Sequence, residues 1–303
     1  MHLVLPSAEC RSVHSLPRWE SGSVKKVAVV TDSVAMLPEQ LAEGLDVGVV
    51  PIVLNLGDRS YRDGIDLSTS EFYRLLRTSE KLPTTAAPSL GEFVKAFEEA
   101  LTNAEAVVAI HVSAQLTSVY RTALMAARSI TGARICVLDS QSATMAEGFV
   151  ALAAARAAAA GADLDAVVTV AEEVRSKVRF FAFLETLEYL RRGGRVGNAA
   201  ALMGNAIQLR PIVHIVDGQI ASLARPRTRR KATQAMLDIM ATEVADRPVH
   251  AAVLHADSLD DARDLGSRVK DQFDCLELHV TELTPVMGTH TGPGLLGLAY
   301  YAE

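Results

Sequence analysis

The chain has 303 residues, enough for about two domains of roughly 150 residues each. Its 49% apolar and 22% charged content is that of an ordinary globular protein, and no uncharged apolar run reaches the roughly 18 residues of a membrane span. Thirty basic against thirty-six acidic side chains leave a formal charge of −6, which argues against nucleic-acid backbone binding as the main activity.

Residues 1–24, with Pro6 and Pro17 among Ser and Gly, lack a basic start and a long apolar core. They read as a loose extension and not as a signal peptide. From Lys25 the pattern alternates strand and helix. Val27-Ala28-Val29-Val30 is a short apolar run entering Thr31-Asp32-Ser33, as a buried strand entering a polar loop would. Residues 38–45 fit a short helix, and 47–56 a second strand in which Pro51 marks an edge or a bend.

Ser68-Thr69-Ser70-Glu71 opens a further helix. Residues 82–89 contain two prolines and read as a loop, with Ser89 capping a helix to about Leu101. Residues 106–112 form an apolar strand that leads through Ser113, Thr117 and Ser118 into a helix. Residues 134–138 form another, in which Cys136 is a small core residue, followed by Asp139-Ser140-Gln141-Ser142. An Ala-rich helix then runs to Ala160, and Gly161 stops it. Three times an apolar strand ends in a hydroxyl-rich loop that opens a helix, the pattern of a parallel α/β sheet. Ligands of such sheets sit at the carboxyl ends of the strands, in those loops.

Past about residue 175 the texture changes. Residues 184–190 look helical and run into Arg191-Arg192-Gly193-Gly194-Arg195. Two apolar runs flank Asp217-Gly218, a strong hairpin signal. A basic stretch over 225–231 precedes a helix to about Val244; strand, helix and strand follow over 249–255, 260–272 and 276–283. A Gly-rich loop carrying His290 separates these from a last strand over 295–301. Hairpins mixed with helices point to an α+β unit. The expected organisation is therefore an extension (1–24), a parallel-sheet α/β domain (25–175) and an α+β domain (176–303).

No GxSxG elbow, P-loop, GxGxxG or HExxH occurs in the chain. Cys10, Cys136 and Cys275 lie too far apart for a zinc site or a disulfide framework, which fits a reducing, cytoplasmic setting. The histidines show no metal-ligand spacing. Thr84, Thr85, Ser113 and Thr117 are neutral donors suited to a carboxylate or phosphate oxygen, or to helix capping. His290 is either a ligand contact or a surface turn residue, whereas His111, inside a strand, reads as structural. The basic segments 191–195 and 225–231 are solvated faces or docking sites for an acidic partner or a phosphate.

Val29-Val30-Thr31-Asp32-Ser33, Leu82-Pro83-Thr84-Thr85, Leu187-Glu188-Tyr189-Leu190-Arg191-Arg192-Gly193-Gly194-Arg195, Arg227-Thr228-Arg229 and Gly288-Thr289-His290-Thr291-Gly292-Pro293-Gly294 stand in this order. Together, over about residues 25–302, they resemble the DegV family, which includes the fatty-acid-binding subunits of bacterial fatty acid kinase. The resemblance implies one fatty acid buried between the two domains and no cofactor. It implies carboxylate contacts at Thr84, Ser113 and His290, with Thr85 and Thr117 nearby. It further implies that Arg195, with Arg227, Arg229 and Arg230, serves the kinase partner or the acyl phosphate. The family's Ser-Ser-x-Leu-Ser-Gly-Thr-Tyr stretch is Ser113-Ala114-Gln115-Leu116-Thr117-Ser118-Val119-Tyr120 here, and its Ser-Gln after Pro-Thr-Thr is Ala86-Ala87. Both departures remove donors near the headgroup.

On this reading the chain is a fatty-acid carrier and not itself an enzyme. Its partners would be a separate ATP-dependent kinase subunit and an acyltransferase using acyl phosphate, with room for transient contact with a membrane surface and no nucleic acid. Two competing readings are a small-molecule kinase or hydrolase acting from the same Ser, Thr and His loops, and a regulatory protein whose lipid only stabilises the fold.

Overall fold

The computed structural model describes residues 8–10, 25–79, 81–200 and 209–303. In chain order the elements are β1 (Ala8–Cys10), β2 (Lys25–Asp32), α1 (Glu39–Gly44), β3 (Val47–Val50), β4 (Val53–Leu56), β5 (Arg59–Arg62), α2 (Thr69–Thr78), β6 (Thr84–Ala86), α3 (Leu90–Leu101), β7 (Ala104–His111), α4 (Val119–Ser129), β8 (Ile135–Asp139), α5 (Met145–Ala159) and α6 (Leu164–Lys177). They continue with β9 (Arg179–Phe183), α7 (Glu188–Arg192), β10 (Ile212–Val216), β11 (Gln219–Ala224), α8 (Arg229–Val244), β12 (Val249–His255), α9 (Leu259–Gln272), β13 (Cys275–Glu282), α10 (Pro285–Thr291) and β14 (Leu296–Ala302).

The strands form three sheets, ordered β1-β8-β7-β2-β3, β11-β10-β9-β14-β12-β13 and β5-β4-β6. In the first, β8, β7, β2 and β3 run parallel, and β1 adds an antiparallel edge. In the second only β12 and β13 are parallel, joined through α9. The protein is thus an α/β chain with a parallel-sheet part followed by a mixed, sheet-rich part.

Helices α3 and α4 cover one face of the first sheet, and α5 and α6 the other. The same α5 and α6 also touch β14, and α5 touches β12, while α8 and α9 cover the far face of the second sheet. A helix between two sheets has no solvent face, so it must be apolar all round. The Ala-rich run supplies this: every residue from Met145 to Ala155 is buried. Its small side chains let both sheets approach closely, and Cys136 lies in the same core.

Several local expectations change. The 47–56 run is not one strand; Pro51 breaks it, and β3 and β4 belong to different sheets. The Pro-flanked 82–89 stretch is not all loop: Thr84–Ala86 pairs with β4. The Gly-rich segment around His290 is largely helix α10, begun by the Thr284 cap and a proline in its first turn. Residues 184–187 precede rather than join α7. Periodicity passed over α6, the hairpin strand β5 and β9, although β9 lies between β10 and β14. Of residues 1–24, only Ala8–Cys10 lie within the described residues.

Ser89 caps α3 in a reciprocal capping box. Ser33 instead accepts from the Ile52 amide, and Ser140 bonds within its own turn to Ser142.

Candidate functional site

The chain passes from β2 to β3 on one side and returns with β7 on the other, so β2 and β7 flank the point where strand order reverses. Open parallel sheets bind ligands at that point. Asp32, the last residue of β2, stitches the two strand ends together. Its carboxylate accepts from the amides of Val34 (3.0 Å) and Val112 (3.1 Å), and His111 Nδ1 lies 3.1 Å away. Behind it Glu147 is fully buried, and Thr31 donates to it at 3.3 Å. Burial, with the neighbouring Asp32 charge, holds the Glu147 carboxyl well above its usual range.

Above these ends lies a cavity enclosing about 810 Å³ of empty space, its mouth included. Val34, Val112 and Ala143 supply its floor, from the loops after β2, β7 and β8. Phe180, Val213 and Ile220 of the second sheet also line it, as do Val286 and Met287 of α10. The wall is mostly aliphatic, and its polar members are Thr85, Thr117, Arg195, His214, His290 and Thr291.

Thr85 Oγ1 lies 2.8 Å from His290 Nε2, which joins β6 to α10. The other ring nitrogen, Nδ1, is buried without a partner. Burial, reinforced by the Arg195 charge, lowers the His290 pKa to about 4, so the ring is neutral at pH 7. Arg195 donates to the carbonyls of Leu116 (3.2 Å) and Gly193 (2.5 Å), which orient the guanidinium without neutralising it. Gly193 is required by close packing: a Cβ there would lie 2.5 Å from His290 Nδ1.

A second hollow lies against the same residues. Lys81, Thr84, Thr85, Arg192, Arg195, Thr289 and His290 line an outer groove that shares Thr85, Arg195 and His290 with the cavity. These three side chains therefore border both an aliphatic chamber and a cationic groove. A carboxylate beside them would meet one cation and the one donor that the Thr85–His290 hydrogen bond leaves free, the charge-assisted contacts that its removal from water demands.

The cavity thus brings together Thr85, Thr117, His290 and Arg195 from the residues singled out in the sequence. Thr84 faces only the groove. Ser113 does not line the cavity; its Oγ donates to the Gly218 carbonyl at 2.8 Å and holds the β10–β11 turn. Arg229 is engaged by Glu185 and Asp261, by the Gly294 carbonyl at 3.1 Å and by the Phe183 ring, so it acts within the fold. Arg227 and Arg230 are exposed and belong to neither hollow. Arg192 falls in the basic segment 191–195 named from the sequence; Lys81 and the lining residue Phe180 were not singled out, and the only signal for the last was the short run Arg179-Phe180-Phe181-Ala182-Phe183.

Among the described residues no cluster of His, Cys, Asp and Glu could hold a metal ion, and no helix is long and apolar enough to cross a membrane.

The family model that matches this chain is that of the DegV family, over residues 26–303. A DegV domain-containing protein of Streptomyces coelicolor is 38% identical over 276 residues, covering 90% of this chain and 98% of the relative. A solved structure showing fatty acid binding of a DegV family protein from Thermus thermophilus is 32% identical, with a TM-score of 0.88, over 92% of this chain and all of that one. The structure of DegV from Bacillus subtilis, described as a fatty acid binding protein, is 29% identical, with a TM-score of 0.86 over the same shares. Match length, identity and shared fold agree: the chain belongs to the DegV family.

Proposed function

We propose that this protein is a fatty-acid carrier that buries the acyl chain in the cavity between its two large sheets. Its carboxylate would sit at Thr85, Thr117, His290 and Arg195. The observation that carries this reading is the single polar cluster bordering both an aliphatic chamber and a cationic groove. The acyl chain gains about 0.8 kcal/mol per CH₂ removed from water. Charge-assisted hydrogen bonds at the headgroup contribute roughly 1.5–3 kcal/mol each. The relatives' fatty acid binding supports the same ligand class.

The carrier presents its carboxylate to a separate ATP-dependent kinase. A carboxylate oxygen attacks the γ-phosphorus of ATP and ADP leaves. The new phosphate then lies in the groove beside Lys81, Arg192 and Arg195, ready for an acyltransferase. Thr84 serves that phosphate, and Ser113 acts by positioning the hairpin turn. Arg227 and Arg230 remain exposed candidates for the partner surface, in the cytoplasm. The reading is tested by reconstitution with a fatty acid kinase subunit, ATP and magnesium. Acyl phosphate should form on the loaded carrier, and Arg192→Glu, which lines the groove and not the cavity, should sharply reduce it while leaving extracted fatty acid in place. Full turnover by Arg192→Glu would contradict the groove assignment.

A further inference from the structure

Helix α10 carries Val286, Met287, His290 and Thr291 into the cavity wall, yet its first turn is completed from another part of the chain. Pro285 has no amide to satisfy, and the Met287 amide donates to the Thr284 hydroxyl at 3.5 Å. The remaining first-turn amide, that of Val286, donates to Asp63 Oδ1 at 3.1 Å, across 223 positions of sequence. Asp63 is 4% exposed, and its own amide donates to the Ile52 carbonyl at 2.9 Å. Ile52 and Val286 both line the cavity, whereas Asp63 does not. It lies behind the wall, joined to two of its members. A carboxylate suits that position, since negative charge is favourable at a helix N-terminus.

The same contact closes a ring. Thr85 of β6 stands opposite Leu54 of β4, which stands opposite Tyr61 of β5. Asp63 follows two residues later and holds Val286. One helical turn on, His290 Nε2 lies 2.8 Å from Thr85 Oγ1 and completes the circuit. Two links of this ring are made by side chains, Asp63 to Val286 and His290 to Thr85. Cutting the first therefore frees the second to open. On its other side α10 rests on α2, where a Cβ at Gly288 would lie 2.6 Å from the Phe72 ring. Helix α2 sets how closely α10 approaches, and Asp63 anchors its first turn.

We infer that Asp63 is a positioning residue of the headgroup site: it anchors α10 to the small sheet and so keeps His290 within reach of Thr85 and of the ligand. This role rests on the carrier reading for its ligand, but not for its effect on His290. Asp63 borders neither cavity nor groove, so its influence passes through α10. The groups that face it are the hydroxyls of Ser33 and Thr284 and the Asp32 charge. Tyr73 of α2 lies close to both Asp63 and Glu282. Arg62 and Asp66, on either side in sequence, are paired with each other at 2.8 Å. Burial raises the Asp63 pKa to about 6, so acid neutralises the carboxylate and weakens its grip on the Val286 amide.

The test uses delipidated full-length protein, palmitate as the probe and a double-mutant cycle over Asp63→Ala and Thr85→Ala. Alone, Asp63→Ala should weaken palmitate binding about tenfold. In the Thr85→Ala background, where the ring is already open, the same change should cost little, because coupled residues do not add. Asp63→Asn keeps an acceptor for the Val286 amide and should bind within about twofold of the parent. A second readout needs neither ligand nor a destabilised variant. In the ligand-free parent, the His290 ring signals should shift in NMR spectra as the pH falls from 7 to 5, above the ring's own pKa of about 4. Asp63→Asn should abolish that shift. Equal losses for Asp63→Ala in both backgrounds, Asp63→Asn binding as weak as Asp63→Ala, or a shift that survives in Asp63→Asn would overturn the inference. Parent protein that takes up no palmitate would instead refute the carrier reading, and the His290 signals would still decide this role.

Discussion

At the scale of single residues the account turns on His290, held neutral between Thr85 and Gly193. Arg195 and burial both favour the uncharged ring, so Arg195→Met should raise the His290 pKa above about 4 in ligand-free protein, though burial keeps it under 6.5. Binding of an anionic headgroup should move it upward as well, because a nearby negative charge favours the protonated ring. Both shifts can be read by NMR titration of the imidazole, and a ring unmoved by ligand would place the carboxylate elsewhere. Gly193→Ala presses a methyl group into His290, so fatty acid affinity should fall about tenfold or more, equivalent to ~1.4 kcal/mol. Calorimetric titration of delipidated protein checks this.

Elements set which side chains reach the cavity. Successive residues of a strand point to opposite faces, and on β6 this leaves Thr84 exposed toward the groove while Thr85 lines the cavity. Thr85→Ala should weaken fatty acid binding several-fold, whereas Thr84→Ala should leave binding intact and slow phosphoryl transfer. Equal effects of the two on binding would contradict the geometry. Asp63, just after β5, ties the small sheet to α10 by accepting from the Val286 amide at 3.1 Å. Burial raises its pKa to about 6, from the 3.8 of an ordinary aspartate. Between these values the folded state holds the proton more tightly, so this group's contribution to stability is largest below pH 4 and is lost as pH rises through 6. Asp63→Asn removes that loss. Its melting temperature relative to the parent should therefore climb from pH 4 to pH 6 and level off above, and a difference independent of pH would refute the assignment.

Across the whole molecule, the parallel sheet was legible because its central strands are buried along most of their length and so read as nearly unbroken apolar runs, as at residues 106–112. The hairpin at Asp217-Gly218 was legible because its turn needs two positive φ angles, here 50° and 77°. The three-residue strand β6 and the helix around His290 were hidden by proline and glycine, whose local preference was overridden by pairing with β4 and by the Thr284 cap. Family motifs pointed to His290, Thr85 and Arg195, yet could not separate Thr84 and Ser113 from the cavity wall, since that depends on side-chain direction and on the hairpin turn. The aliphatic composition acquires its meaning at this scale, as an Ala-rich helix between two sheets with an aliphatic chamber beside it. The most direct test of that arrangement is mass spectrometry of lipid extracted from the purified chain. The account expects close to one fatty acid per protein, with occupancy strongly reduced in the Thr85→Ala, Arg195→Met double variant. Purified protein that carries no fatty acid, and takes none up after delipidation, would contradict it.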